Sequence, residues 1–370
     1  MTATVFHCPY SSRCPGCDLI GLNSSAQIER KTEGLRQLMG PNFRTPLEYV
    51  SFAQKGLRDR LDFVMSDKGS GLYSKTEQSV VDLPDCGQLS ISLQNFYQDF
   101  RKIKFPVLKG SFRLRVGPEG QRGVWLDFAN RDIKLLLEEG HTLESLRQMA
   151  FVEIGQRHKA LIRKPEGRWG LGDPEFHPWM RSTHGTRSVD LVSTVASFTQ
   201  PSHVSNQWIT QTLAQWFLDL QPRQVLEFGS GIGNLTLPAL SFPETRLLSL
   251  ELEVRAAEAQ LINLQRLDLQ DRVDLRVGDF RRKGLQITED VDVLLVNPAR
   301  NGVGDLFQTT VFEEKNKGPR HVIYMSCYPE SFALDTQILR QFGYSAKRIL
   351  LVDQFPQTHH IEILSHWVRE

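Results

Sequence analysis

A thiol, a glycine loop and a second group of cysteines are the parts of this chain best suited to chemistry. The apolar run His321–Met325 reads as a strand ending at Ser326-Cys327-Tyr328-Pro329. A thiol at the C-terminal end of a sheet strand is a candidate nucleophile once its surroundings favour the thiolate. Another strand, Val225-Leu226-Glu227-Phe228, runs into Gly229-Ser230-Gly231-Ile232-Gly233-Asn234 and then into a helix. Glycines let the backbone pass close to a ligand at the sheet edge where doubly wound folds bind cofactors. Glu251 ends the next strand, 22 residues after Gly229, where a carboxylate can accept hydrogen bonds from ribose hydroxyls. Asn234 stands where a dinucleotide fingerprint would place its third glycine, and Asp279 follows a third strand, where it can take an adenine amino group. The set suits S-adenosylmethionine (SAM), which has no pyrophosphate to cradle, better than NAD. The bland alternative is a glycine-rich turn that binds nothing. A further strand ends at Asn297-Pro298-Ala299-Arg300, placing a polar amide beside a methyl donor. Enzymes that methylate exocyclic amines carry an aromatic residue at the position of Arg300, so an amine target is disfavoured.

Cys8, Cys14 and Cys17 form C-x5-C-x2-C, and Cys86 is a fourth thiol. Four thiolates hold either a tetrahedral zinc or a [4Fe–4S] cluster, and the spacing alone leaves both open. It is not the C-x3-C-x2-C pattern of radical enzymes, which leaves one iron open for SAM.

These residues need a frame. The chain has 370 residues, about right for two domains, with 40% apolar and 24% charged residues. No apolar run approaches the ~18 residues of a membrane span, and the start lacks the pattern of a secretory signal, so a cytoplasmic protein is expected. Net charge is +1, but residues 1–200 carry 27 Lys and Arg against 22 Asp and Glu, and residues 201–370 carry 17 against 21. The first half is therefore mildly attractive to a polyanion. Asn23 followed by Ile28, Leu35 and Leu38 predicts a capped helix ending at Gly40-Pro41. Leu57–Met65 alternates like a half-buried strand, and Phe112–Phe128 reads as two strands across the Gly117–Gly123 turn. After Ser193, strands alternate with helices, as in a parallel-rich doubly wound α/β sheet. The expected division is residues 1–192, an α+β domain with the cysteines and the mildly basic surface, and residues 193–370, a Rossmann-like SAM-dependent catalytic domain. The helix near 23–40 is free to pack on either.

One family shares the segments Phe198-Thr199-Gln200, Gly229–Asn234, Val296-Asn297-Pro298-Ala299-Arg300, Ser326-Cys327, Asp353-Gln354-Phe355-Pro356 and His360-Ile361-Glu362. Over nearly its whole length the chain resembles the RNA (uracil-5-)-methyltransferases, nearest to the RumB (RlmC) branch that acts on 23S rRNA. The resemblance implies Cys327 as nucleophile and Glu362 as base. It places Gln200, Gly229, Gly231, Asn234, Glu251, Asp279 and Asn297 around SAM and the uracil. It implies a [4Fe–4S] cluster on Cys8, Cys14, Cys17 and Cys86, no TRAM domain, and a monomer. Asn297 stands where most members have Asp, Ala299 replaces a second Pro, and Tyr328 replaces an Asn. The parts fit one reaction. C5 of uracil is too weak a nucleophile to take a methyl group until a thiolate adds to C6, and a base must then remove the C5 proton so that the thiolate can leave. Arg58, Arg60 and Arg300 are candidate RNA contacts beside Gln200 and Asn297, with Arg101, Lys102 and Lys104 a further basic group and Trp169 and Trp179 candidate stacking platforms. The alternatives are a tRNA enzyme, disfavoured by the cysteines, and a noncatalytic RNA-binding or assembly factor.

Overall fold

The computed structural model describes residues 5–107, 109–155, 158–279, 291–304, 306–307 and 318–369. After an irregular start, α1 (Ser24–Met39) begins where the Asn23 side chain accepts the Ala26 N–H at 2.9 Å, as its sequence predicts. β1 (Leu47–Ser51), β2 (Arg60–Ser66), β3 (Gly69–Ser74) and β4 (Ser79–Asp82) follow, then α2 (Ile91–Phe100), capped by Ser90. β5 (Gly110–Val116) and β6 (Arg122–Asp127) form the expected hairpin, closed by the Gly117 N–H on the Gln121 carbonyl at 2.7 Å. α3 (Asn130–Glu138), α4 (Gly140–Met149), β7 (Phe151–Ile154), β8 (Lys159–Arg163) and β9 (Trp169–Gly172) complete a first sheet, ordered β4-β3-β2-β5-β6-β7-β8-β9. Its pairings are antiparallel except β6 with β7. Phe63, Tyr97, Phe100 and Phe112 pack ring on ring in its core, with Phe96 in the same cluster, so α2 is held by aromatic area.

The hairpin β10 (His177–His184) and β11 (Arg187–Ser193) leads into α5 (His203–Leu220), which is capped by Ser202. Then come β12 (Gln224–Phe228), α6 (Thr236–Ala239), β13 (Arg246–Glu251), α7 (Val254–Gln265), β14 (Val273–Val277), β15 (Val293–Val296), β16 (His321–Ser326), α8 (Pro329–Gln341), β17 (Tyr344–Asp353) and β18 (Glu362–Arg369). They form the second sheet, ordered β1-β17-β18-β16-β15-β12-β13-β14. β12 and β15 are nearly continuous apolar runs because both their faces are covered. Leu226, Phe228, Leu294 and Val296 meet α1 and α8 through Leu35, Met39, Phe332 and Leu339. Val225, Val293 and Leu295, facing the other way, meet α5 and α7 through Ile209, Leu213, Phe217 and Ala259.

Two features depart from the simple parallel sheet that the alternating elements suggest. β18 runs antiparallel between β16 and β17. And β1, from far upstream, pairs in parallel with β17 and caps that edge, while α1 covers one face. Among the described residues no helix is long and apolar enough to cross a membrane.

Candidate active site

One edge of the second sheet collects the reactive residues. The glycine loop leaves the end of β12, Glu251 ends β13, Asn297 follows β15 and Cys327 follows β16. Because β18 is antiparallel, its first residue, Glu362, lies at that same edge. The register pairs Ser326 with Ile363, so one step further sets Cys327 against Glu362. β12 has β13 on one side and β15 on the other, and the crevice at such a switch point is where α/β sheets bind ligands.

Gly229 sits at φ +75°, and a Cβ there would stand 2.5 Å from the Asn297 carbonyl oxygen. Only glycine lets the two strand ends come this close. Gly231, at φ +58°, faces open space and donates its N–H to Glu251 Oε2 at 2.6 Å. Glu251 Oε1 accepts the Glu253 N–H at 2.8 Å. A carboxylate has about four acceptor positions, so Glu251 can brace the loop and still accept ribose hydroxyls. Asn234 is engaged otherwise: its amide pairs reciprocally with Asn206 of α5, at 2.7 and 3.1 Å. Asp279 follows β14 near the same edge and is half-buried. Beneath the loop, the buried Glu227 accepts from the Thr236 hydroxyl at 2.7 Å and the Ser249 hydroxyl at 3.3 Å. Burial and the nearby Glu251 push its carboxyl up to about 7.

Glu362 is only 3% exposed. Burial pushes its carboxyl up to about 8, against one stabilising hydrogen bond, from Gln354. Gln354 Nε2 donates to Glu362 Oε2 at 2.9 Å and to Gln200 Oε1 at 3.0 Å, while Gln354 Oε1 accepts the Ser205 hydroxyl at 2.9 Å. Cys327 is half-buried; burial and then Glu362 push its thiol up, while the Arg300 guanidinium, by charge and by hydrogen bond, pulls it down. Nucleophile, carboxyl and arginine therefore form one electrostatic unit whose members set each other's protonation. The loop carrying Arg300 is tied at its far end by Asp335 of α8, which accepts the Val303 and Gly304 N–H groups at 2.9 and 3.2 Å and the Tyr324 hydroxyl at 2.5 Å.

The turn carrying Gln354 is braced from the N-terminal segment. Lys31 of α1 forms a fully buried ion pair with Asp353 at 2.8 Å and donates to the Phe355 carbonyl at 3.1 Å. Tyr49 of β1 donates to the other Asp353 oxygen at 2.5 Å. Sequence reasoning missed Lys31, Tyr49, Gln354 and Asp335 as parts of the site. Only the quoted Asp353-Gln354-Phe355-Pro356 segment pointed near any of them.

The arginines of the first sheet do something the sequence did not suggest. Arg60 is 17% exposed and donates to the Thr199 carbonyl at 3.0 Å, with burial pulling it down to about 10. Arg113 donates to the Ala196 carbonyl at 2.8 Å, and the fully buried Arg115 donates to Val195 and Ser197 carbonyls and to the Thr199 hydroxyl at 2.6 Å. Glu153 accepts the Val195 and Ala196 N–H groups. Residues 194–199, which deliver Gln200 to the catalytic network, are thus clamped by the first sheet. Phe198 remains 66% exposed, with the Arg60 guanidinium 5.3 Å from its ring centre. Trp179 is fully buried against Phe151 and Arg115, so it is a core residue and offers no face to a base, contrary to the sequence expectation. Trp169 is half-buried beside Arg163. Arg101 is paired with Asp82 at 2.7 Å and Lys102 with Asp99 at 2.9 Å.

Cys8, Cys14, Cys17 and Cys86 line one cavity of about 80 Å³, together with Arg58, Phe63, Phe355 and Pro356. Arg58 lies 5.7 Å from the Phe355 ring centre, against the cysteines. Burial and then Cys86 and Cys14 push the Cys17 thiol up to about 12. Among the described residues no group of three or more His, Cys, Asp or Glu is arranged to hold a metal ion.

Residues 185–367 match the sequence model of a family described as tRNA (Uracil-5-)-methyltransferase. The chain is similar to an uncharacterized RNA methyltransferase of Bdellovibrio bacteriovorus, 42% identical over 99% of this chain and 96% of that protein. It is also similar to the 23S rRNA (uracil(1939)-C(5))-methyltransferase RlmD of Shewanella halifaxensis, 25% identical over 97% of this chain and 80% of that protein. In fold it is like the Pyrococcus abyssi tRNA (uracil-54, C5)-methyltransferase solved with S-adenosyl-L-homocysteine, with a TM-score of 0.70 and 20% identity over 96% of this chain and 86% of that one.

Proposed function

The chain belongs to the SAM-dependent RNA (uracil-5-)-methyltransferases, and from that membership we propose that it methylates C5 of a uridine in 23S rRNA, with Cys327 as nucleophile and Glu362 as base. The observation that carries this reading is the placement of Cys327 against Glu362 at the edge where the glycine loop ends β12. SAM, when bound there, supplies an electrophilic methyl group. Gly229 and Gly231 keep the backbone low enough for it, and Glu251 offers acceptors for its ribose. The Cys327 sulfur adds to C6 of the uracil, with Arg300 stabilising the thiolate. That addition makes C5 nucleophilic enough to take the methyl group. Glu362 then removes the C5 proton; the C–H electron pair restores the C5–C6 double bond and expels the Cys327 thiolate. Gln200 and Asn297 would hydrogen-bond the uracil edge, and the exposed Arg300 would meet the backbone beside it. Arg58 and Arg60 support RNA binding indirectly, one through Phe355 and one through the clamped Thr199 segment.

The four cysteines suit a [4Fe–4S] cluster, which takes four thiolates around a volume larger than one ion needs. Cys8, Cys14, Cys17 and Cys86 would hold it, tying residues 8–17 to residue 86 in the part of the chain, residues 1–192, that we assign to RNA binding. Residues 193–370 form the catalytic part, to which α1 and β1 are lent. The test is to map 5-methyluridine in rRNA and tRNA from a strain lacking the gene, and to restore it with purified protein on the unmodified RNA. Loss of one 23S rRNA mark is the expected result. Loss of a tRNA mark would move the substrate, and no loss at all would favour a noncatalytic factor.

A further inference from the structure

Gln354 is fully buried, and among the described residues its amide makes three side-chain hydrogen bonds: two donated, to Glu362 and Gln200, and one accepted, from Ser205. Its neighbours on both sides are pinned, Asp353 by Lys31 and Tyr49 and Phe355 by Lys31. The amide therefore has one orientation, and that orientation has two consequences. It occupies Glu362 Oε2, which leaves Oε1 as the oxygen free to take a proton. It also occupies Gln200 Oε1, so the Gln200 NH2 is the end left to face a uracil carbonyl. We propose that Gln354 is the positioning residue of the proton-abstraction step, easing the ionisation of Glu362, aiming its free oxygen and holding Gln200 donor-end outward. The inference rests on the reading of Glu362 as the base.

The physical argument concerns charge. A buried carboxylate is stabilised by what donates to it, and among the described residues Gln354 is the single hydrogen-bond donor to Glu362. The other ionisable groups around it do not replace that bond. Cys327, at the end of β16, disfavours a second negative charge beside its own. Arg300, from the loop after β15, acts on the Cys327 sulfur. Asp353, at the end of β17, is paired to Lys31. His360, two residues before Glu362, is half-buried, and its charged form is disfavoured by burial and by Arg300. Gln200 and Ser205, from the segment that enters α5, are uncharged. Without the Gln354 donor, Glu362 would ionise only at higher pH, and elimination would stall while addition and methyl transfer continue.

The experiment compares Gln354→Met with the parent and with Glu362→Gln, on unmodified 23S rRNA transcribed in vitro with uridine or with 5-fluorouridine. Met conserves volume and removes both donors. On uridine RNA, the acid limb of the single-turnover profile should move up by roughly one to two pH units, the worth of a hydrogen bond to a charged group. A covalent protein–RNA adduct should build up at pH 7 and clear at pH 9. On 5-fluorouridine RNA no proton has to leave, so the adduct should form without the pH shift, slowed only by the pH-independent loss that releasing Gln200 causes. Ser205→Ala, which frees only the Gln354 oxygen, should give a smaller shift in the same direction and serves if the Met variant does not fold. An unchanged pH profile in these variants overturns the proposal, as does a loss that is uniform in pH and equal on both RNAs. If Glu362→Gln itself turns over normally, the assignment of the base has failed. If Glu362→Gln stalls and Gln354→Met behaves like the parent, only this inference has failed.

Discussion

Cys327, Asn297 and Glu251 sit where buried strands end and Glu362 where one begins, whereas Cys8, Cys14 and Cys17 leave a segment of turns and Cys86 a short loop. The catalytic side chains inherit their positions from a hydrogen-bonded sheet with both faces covered. The cysteines are placed by a few turn hydrogen bonds, such as the Cys14 N–H on the Tyr10 carbonyl at 2.7 Å, and by contacts with the first sheet and with Phe355 and Pro356. Burial pushes the thiols of Cys14, Cys17 and Cys86 up, Cys17 most clearly. A cationic group entering that cavity would displace protons and organise the segment around itself. One region is held by its strands; the other, on the cluster reading proposed above, would be completed by its ligand. The loop from Asp353 to Glu362 borders both.

Cys327→Ala tests the preorganised side and carries the largest expected effect. Methyl transfer to RNA should vanish while SAM affinity by calorimetry stays near the parent, since the sheet edge persists without the thiol. Retained turnover would remove Cys327 from the mechanism. Glu362→Gln comes next, with an RNA adduct on denaturing gels that disappears when Cys327 is also replaced. The same variant makes a stability prediction. The parent carboxyl titrates near 8 when folded against an ordinary 4.5. Its contribution to stability is therefore complete below about pH 4.5 and is lost as pH rises towards 8. Glu362→Gln escapes that loss, so its melting temperature should exceed the parent's by a margin that widens from pH 4.5 to 8. A constant margin would mean that the carboxyl does not titrate there.

Cys14→Ser and Cys86→Ser probe the ligand-dependent side. Anaerobically purified parent should be brown, with about four irons per chain, as expected for a cluster held by four thiolates. The serine variants should lose iron and bind RNA several-fold more weakly while SAM affinity holds. Stoichiometric zinc in the parent, or unchanged RNA binding in the variants, would sink the cluster reading. A matching loss of SAM affinity would instead show that the shared Asp353–Glu362 loop transmits the damage, and the contrast between the regions would be too sharp. The smallest effect is expected for Arg300→Gln. Losing the guanidinium should move the pH dependence of Cys327 alkylation by iodoacetamide upward by less than about one unit, the scale of a partly exposed charge. No shift would mean that Arg300 serves the RNA alone.

Much of this was written in local sequence. A strand followed by glycines, an acidic residue one strand later and a thiol at a strand end need no tertiary information, because each follows from chain direction and residue type. The cap at Asn23 and the hairpin turn after Gly117 are equally local. Glu362 was different. Alone it was a carboxylate near a strand start, visible only through resemblance, because the sequence does not say that β18 runs antiparallel between two strands of opposite sense. That reversal carries a strand start to the edge where the other strands end. Gln354, Lys31 and Arg115 were invisible for a related reason. Lys31 meets Asp353 across 322 positions, and Arg115 reaches Thr199 across 84. A lone Lys on a helix or Arg on a strand reads as surface. Only the packed fold, which removes water from both partners, turns them into braces. The residue types that could react were therefore set by the sequence. Which carboxyl faces the thiol, and which amide holds that carboxyl, was decided by strand order and burial, since a base is defined by the distances and the dielectric around it.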